Sequence, residues 1–211
     1  MNRHTLSLTM TRALAAVACL AVSASCGSEM LRTGRSPVFL VVSNLQGTPG
    51  NGGAASQFLL SDVQVLVERT VNGVTSQVPT FYNDVATADL RVEAKNPTVP
   101  TTGINAVTIT RYRVVFRRSD GRNTPGVDVP YGFDGAATTT ISPGGTGSVS
   151  FDLIRHQAKL EPPLRNLAGF GGLGFISTIA EITFYGHDQN GNEMIATGSM
   201  DVQFGDFADD N

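Results

Sequence analysis

Five arginines, Arg111, Arg113, Arg117, Arg118 and Arg122, fall within twelve residues. In a regular strand, Arg111, Arg113 and Arg117 share one face. A row of guanidinium forks can grip phosphate or carboxylate groups two N–H bonds at a time. A protein partner or an anionic envelope polymer would offer such groups, as would lipid headgroups. A solvated row paired with Asp120, Asp128 or Asp134 explains the same residues, because charge rows on sheet faces are common and weak. The adjoining stretch SDGRNTPGVDVPYGFDG, 119–135, is rich in Gly and Pro and carries Asp128, Tyr131 and Asp134. Long loops on a rigid scaffold collect binding residues. Asp residues that satisfy their own turns account for the loop equally well. These arginines, with Asp128, Tyr131 and Asp134, form the candidate binding surface.

Other chemistry is thin. DQNGNE, 188–193, places the oxygen ligands Asp188, Asn190 and Asn192 at alternating positions, as calcium sites do. An Asn-Gly hairpin turn explains them without an ion. GFGGLG fits G-x-G-x-x-G through Gly169, Gly171 and Gly174. It follows EPPLRNLA and precedes a strand-like run, so no helix amino terminus is available to hold a pyrophosphate. The histidines beyond the first 25 residues are His156 and His187. No G-x-S-x-G, H-E-x-x-H or C-x-x-C occurs. No catalytic residue, metal or cofactor is assigned, and the chain reads as a non-enzyme.

Cys26 is the most informative single residue. Residues 1–12 carry Arg3 and Arg12 and no acid, and residues 13–25, ALAAVACLAVSAS, are apolar or small. A basic start, a short apolar core and a small-residue exit make a secretory signal peptide. Between Arg12 and Glu29 there are 16 residues, fewer than the roughly 20 that a membrane span needs. Ala24, Ser25 and Cys26 resemble the lipobox of bacterial lipoproteins, although Ser23 stands where that pattern carries an aliphatic residue. The resemblance implies that Cys26 becomes the first mature residue and carries acyl chains. Gly27, where an Asp would signal inner-membrane retention, then implies the outer membrane. Ordinary cleavage after Ser23-Ala24-Ser25 is the alternative and gives a secreted protein. Of the two cysteines, Cys19 leaves with the leader. A lone thiol in an exported chain is unusual, and lipidation gives it a use.

Removing residues 1–25 leaves 13 basic and 18 acidic residues, a formal charge of −5, with no overall footprint for nucleic acid. Gly (23) and Pro (10) are frequent, charge is sparse at 16%, and Val, Thr, Ile and Phe recur in short runs, which predicts an all-β chain with many turns. Trp is absent, which argues against a sugar-stacking platform.

The elements follow from alternation. SPVFLVVSNLQG, 36–47, predicts a buried first strand, with Val38, Leu40 and Val42 on one face. FLLSDVQVLVE, 58–68, alternates through Val63, Val65 and Val67. In ADLRVEAK, 88–95, Ala88, Leu90, Val92 and Ala94 face in, and the charged residues face water. In 106–121, Val107 and Ile109 sit at odd positions and Tyr112, Val114 and Phe116 at even ones, which predicts a bulge or a passage between sheets. Residues 147–160 alternate through Val149, Phe151 and Leu153, and 176–204 predicts a hairpin turning at Asp188–Asn192. Seven or eight strands at this spacing predict an antiparallel β-sandwich.

The closing stretch ITFYGHDQNGNEMIATGSMDVQF resembles the last hairpin of bacterial immunoglobulin-like domains, which implies an immunoglobulin-like sandwich. The whole layout is similar to a family of uncharacterised bacterial lipoproteins, which implies location and fold, not an activity. The organisation expected is a signal peptide at 1–25, a polar tether at 26–36, the sandwich at 37–207 and an acidic tail at 208–211. The function expected is a non-catalytic binding or assembly module of the cell envelope, held to the membrane through Cys26. Two rivals remain: an envelope hydrolase joining a histidine to acidic residues, and a secreted subunit using 27–45 as a donor strand.

Overall fold

The computed structural model describes residues 35–170 and 173–207. The leader, Cys26 and the 208–211 tail lie outside the described residues. The chain is nearly all β. Among the described residues ten strands follow in order: β1 (Val38–Thr48), β2 (Phe58–Asp62), β3 (Val65–Val71), β4 (Val74–Thr80), β5 (Asp84–Ala94), β6 (Val107–Arg117), β7 (Phe133–Ile141), β8 (Thr146–Ile154), β9 (Phe175–Asp188) and β10 (Glu193–Gly205). One short helix, α1 (His156–Lys159), follows β8.

Eight of the strands build a sandwich-like body. One sheet has the order β1-β5-β8 and the other β2-β10-β9-β6-β7. β3 and β4 pair only with each other, as a ribbon. All ladders are antiparallel except β2 with β10, which is parallel.

Period-two alternation builds the core. Leu90 and Val92 of β5, Phe151 and Leu153 of β8, Ile182 and Phe184 of β9, and Val202 and Phe204 of β10 are all buried between the sheets. Phe151 meets the edge of Phe184 at 5.4 Å, and Phe116 meets Phe204 at 5.5 Å. Such aromatic pairs add about 0.5–1.5 kcal/mol beyond area burial.

The parity switch predicted in 106–121 is a bulge. The register of β6 slips between Ile109 and Arg111 against both neighbours: against β9 Thr110 is the extra residue, whereas against β7 the extra residue is on β7, between Ala136 and Thr139. Ile109 and Tyr112 point inward on either side of it, and Thr110 and Arg111 both point out.

Three local readings of the sequence are corrected. β1 is half-buried rather than buried, because Phe39 and Val41 lie on its solvent face. Its register also slips between Val42 and Asn44, so Leu45 resumes the inward set. The run 58–68 is not one strand, since the chain breaks at Val63 and Gln64 and turns into the ribbon. β4 and β7 lie in stretches where no strand was expected.

The body has two ends. At the entry end β1 begins, β5 ends and the β9–β10 turn closes. At the ribbon end β2 and β10 finish together, β5 begins and β8 runs into α1. Residues 38–45, part of the segment considered as a donor strand, pair with β5 inside the chain's own sheet.

Candidate functional site

The solvent face of the five-stranded sheet carries the arginine row. The bulge at Thr110 sets its phase. After the bulge, Arg111, Arg113, Val115 and Arg117 follow each other outward on β6. Across the ladder they face Tyr185, Thr183, Glu181 and Ile179 of β9.

Each arginine has a carboxylate partner. Asp134 on β7 bridges Arg113 Nη1 at 2.8 Å and Arg111 Nη1 at 3.3 Å. Arg117 Nε donates to Glu181 at 3.0 Å. Arg118 and Arg122 share Asp120, at 2.6 and 3.0 Å. Asp120 is held well below the usual carboxylate range, chiefly by its hydrogen bond from Arg118, which overcomes the cost of burial with help from the Arg122 backbone and side chain. Five cations thus share three carboxylates, and the surface keeps a local positive excess. The partners are exposed and therefore exchangeable, since such pairs contribute about 0–1 kcal/mol each.

Arg111 also stacks over the Tyr185 ring at 3.7 Å. The two residues edge a groove of 390 Å³, lined by Thr110, His187, Glu193 and Ile195 among others. A second depression of 430 Å³ lies on the same face, between Arg117, Ile179, Glu181 and Ser199.

The 119–135 loop is held from within. Asp128 accepts the Thr124 N–H at 3.2 Å, and Asn123 accepts that of Arg118 at 2.7 Å. Tyr131 is exposed and its ring rests on Gly126, which takes a positive φ of 76°. Arg155, which the sequence did not single out, joins the site. It lies over the Phe133 ring at 3.9 Å and donates to the Asp134 carbonyl at 2.7 Å. Its only sequence signal is an isolated charge at the end of an alternating strand.

Asp188 is buried at the β9–β10 turn. Its Oδ1 accepts the N–H groups of Asn190 and Asn192, each at 2.9 Å, and its Oδ2 accepts the Asn192 amide at 2.8 Å. Burial opposes its charge, but hydrogen bonds from Asn192 and Asn190 outweigh that and hold its pKa below the usual value. Both carboxylate oxygens that Asp188 would offer to calcium are occupied by the turn. Among the described residues no group of three or more His, Cys, Asp or Glu could hold a metal ion.

The histidines stand at opposite ends. His156 pairs with Asn83 at the ribbon end, at 2.9 Å. His187 faces Glu193 across the ladder at the entry end, and its Nδ1 lies 3.1 Å from the Asp188 carbonyl. His187 and Glu193 thus bring a histidine and an acid together in one groove. Its hydroxyl, Thr110, is turned to the Tyr185 carbonyl.

The interior holds a polar group that the sequence hid. Asp84 Oδ2 lies 2.9 Å from Lys159 Nζ and accepts the Ser61 hydroxyl at 2.6 Å, and Oδ1 accepts the Gly50 N–H at 2.8 Å. All three side chains are buried. The glycine run begins with Gly169 at positive φ, its N–H donating to Asp206, and leads into β9 rather than a helix. No protein-family model, characterised protein or solved structure matches the chain.

Proposed function

We propose that this chain is an exported cell-envelope protein, anchored by acyl chains on Cys26, that works as a non-catalytic binding or assembly module on an immunoglobulin-like sandwich. The amino-terminal sequence supports the address. The observation that carries the binding role is the arginine face, where Arg111 and Arg113 share the single carboxylate of Asp134 and stand beside an open groove. Guanidinium groups held at fixed spacing on a rigid sheet are ready to receive carboxylates or phosphates of a protein or anionic polymer. A rigid sheet also holds a site more firmly than a loop does.

Mass measurement of the mature amino terminus, with fractionation of the same cells, tests the address. A diacyl or triacyl mass on Cys26 in the membrane pellet is expected. A free or disulfide-linked Cys26 in the soluble fraction overturns the anchor and leaves a secreted protein. Arg111→Ala with Arg113→Ala tests the surface, because loss of envelope co-purification partners with an unchanged fold is expected.

A further inference from the structure

The arginine face continues toward the ribbon end into a different chemistry. Phe58 and Leu60 on β2 and Phe175 and Ile179 on β9 all point to the same solvent side. They are 49%, 45%, 58% and 41% exposed. Between them β10 presents Asp201, directly opposite both Phe58 and Ile179. Asp201 is exposed and makes no ion pair among the described residues. Farther along, the Phe207 ring covers Gly205, beside Phe175. Phe58 and Leu60 adjoin on β2, and Asp201, Gln203 and Ser177 stand between them and the β9 side chains. Exposed apolar side chains gathered on one sheet face and rimmed by polar residues are a feature of interaction sites.

The face is therefore divided. One corner, toward the entry end of β6 and β7, holds Arg111 and Arg113 on the single carboxylate of Asp134 beside an open groove, while Arg117 stands in the same row as Ile179 and Asp201. The diagonal corner, on β2, β9 and β10, holds protruding aromatic and aliphatic side chains around an unpaired carboxylate. A two-fold axis lying in the interface, across this diagonal, sets each corner of one copy on the opposite corner of the other. It brings Arg111 and Arg113 to Asp201 and the phenylalanines toward the 390 Å³ groove. The alternative axis, which lays arginine on arginine, is disfavoured by like charge.

The size is sufficient. β9 has 14 residues and β10 has 13. At about 3.3 Å per residue and about 4.8 Å between strands, the five-stranded face covers on the order of 800 Å². A standard specific interface buries about 800 Å² per partner.

We infer that the partner of this face is a second copy of the chain, the two five-stranded sheets packing face to face about a two-fold axis. This rests on the reading of the arginine face as the binding surface and names its occupant. The apolar corner supplies the burial, and the arginine–Asp201 contacts set the orientation.

The test is cross-linking in the full-length chain carrying Cys26→Ser, so that it needs no anchor. Ser199→Cys lies at the middle of the face, and Ser150→Cys lies on the outer face of the other sheet. Facing sheets pack about 10 Å apart, so a bismaleimide of that span is the reagent. Ser199→Cys is expected to give a covalent dimer and Ser150→Cys a monomer. Phe58→Asp with Ile179→Asp is expected to lower the yield about tenfold or more with the far-ultraviolet spectrum unchanged, a loss of about 1.4 kcal/mol or more. Asp201→Arg is expected to act likewise through charge alone.

Equal cross-linking at Ser150, or none at Ser199, overturns the dimer. So does quenching of a Leu60→Trp chain by brominated lipid vesicles, which would assign the apolar corner to a bilayer. A soluble chain that cross-links at Ser199 keeps the dimer even where the acyl anchor fails, and an acylated chain that stays monomeric loses the dimer alone.

Discussion

Lys159 Nζ lies 2.9 Å from Asp84 Oδ2, and the two side chains are only 2% and 1% exposed. α1 and β5 are thereby fastened at the ribbon end, with Ser61 bringing in β2. A buried pair adds little net stability, yet loss of one partner strands the other charge. Lys159→Met is expected to cost about 3–5 kcal/mol in urea unfolding. Asp84→Asn combined with Lys159→Met is expected to cost clearly less. Equal losses for the single and double variants would show that the pair is not the source.

Acid should weaken the fold through Asp188 and Asp89. Asp89 lies below the ordinary carboxylate value through hydrogen bonds from Ser148 and Asn44, against a small opposing cost of burial. The ordinary value for both residues is 3.8. A carboxyl depressed in the folded state binds fewer protons there than in the unfolded chain. Its contribution is complete above about pH 4 and is lost as pH falls through the lower folded value. Asp188→Asn is expected to cost about 1–3 kcal/mol at pH 7 and to flatten the acid limb of a stability–pH curve.

The ribbon turns on Asn72 and Gly73, with φ of 52° and 79° between the paired Val71 and Val74. Two consecutive positive φ values make the tight turn that suits a twisted hairpin. Gly73→Val is expected to open the ribbon by about 1–2 kcal/mol. Amide exchange should rise across β3 and β4, and the melting temperature of the body should stay unchanged, because neither sheet includes those strands. A matching fall in the melting temperature would show the ribbon to be part of the core.

Gly135 is required by a ring. A Cβ there would lie 2.3 Å from Tyr112, whose hydroxyl donates across the sandwich to the Asp152 carbonyl at 3.1 Å. Gly135→Ala is expected to displace that ring and cost about 1–3 kcal/mol by overpacking. Tyr112→Phe removes only the hydrogen bond and should cost about 1 kcal/mol in the same melt.

Elements that hide one face could be read from the sequence alone. ADLRVEAK and the β9–β10 hairpin alternate cleanly, and the bulge at Thr110 showed itself as a parity switch in the apolar residues. β1 misled because Phe39 and Val41 are apolar on the wet face, so one apolar run served both sides. β2 could not be separated from β3, because Asp62-Val63-Gln64 contains no Gly or Pro. The Asn72-Gly73 pair carries the same hairpin signal as Asn190-Gly191, but the strands on either side of it have no buried face whose alternation would show them. The arginines were visible as a row, but their partners were not. Glu181 is 64 residues from Arg117, and only the ladder of β6 with β9 brings it there.

The two ends of the body have a mechanical meaning. The chain enters at Arg35 beside the β9–β10 turn and throws its ribbon out from the other end. β9 runs nearly the whole way between them, about 45 Å at about 3.3 Å per residue. Whatever grips the chain by its amino terminus thus holds a stiff lever. The exposed valines at its ribbon tip, Val71 and Val74, belong to the end opposite the one where residue 35 enters.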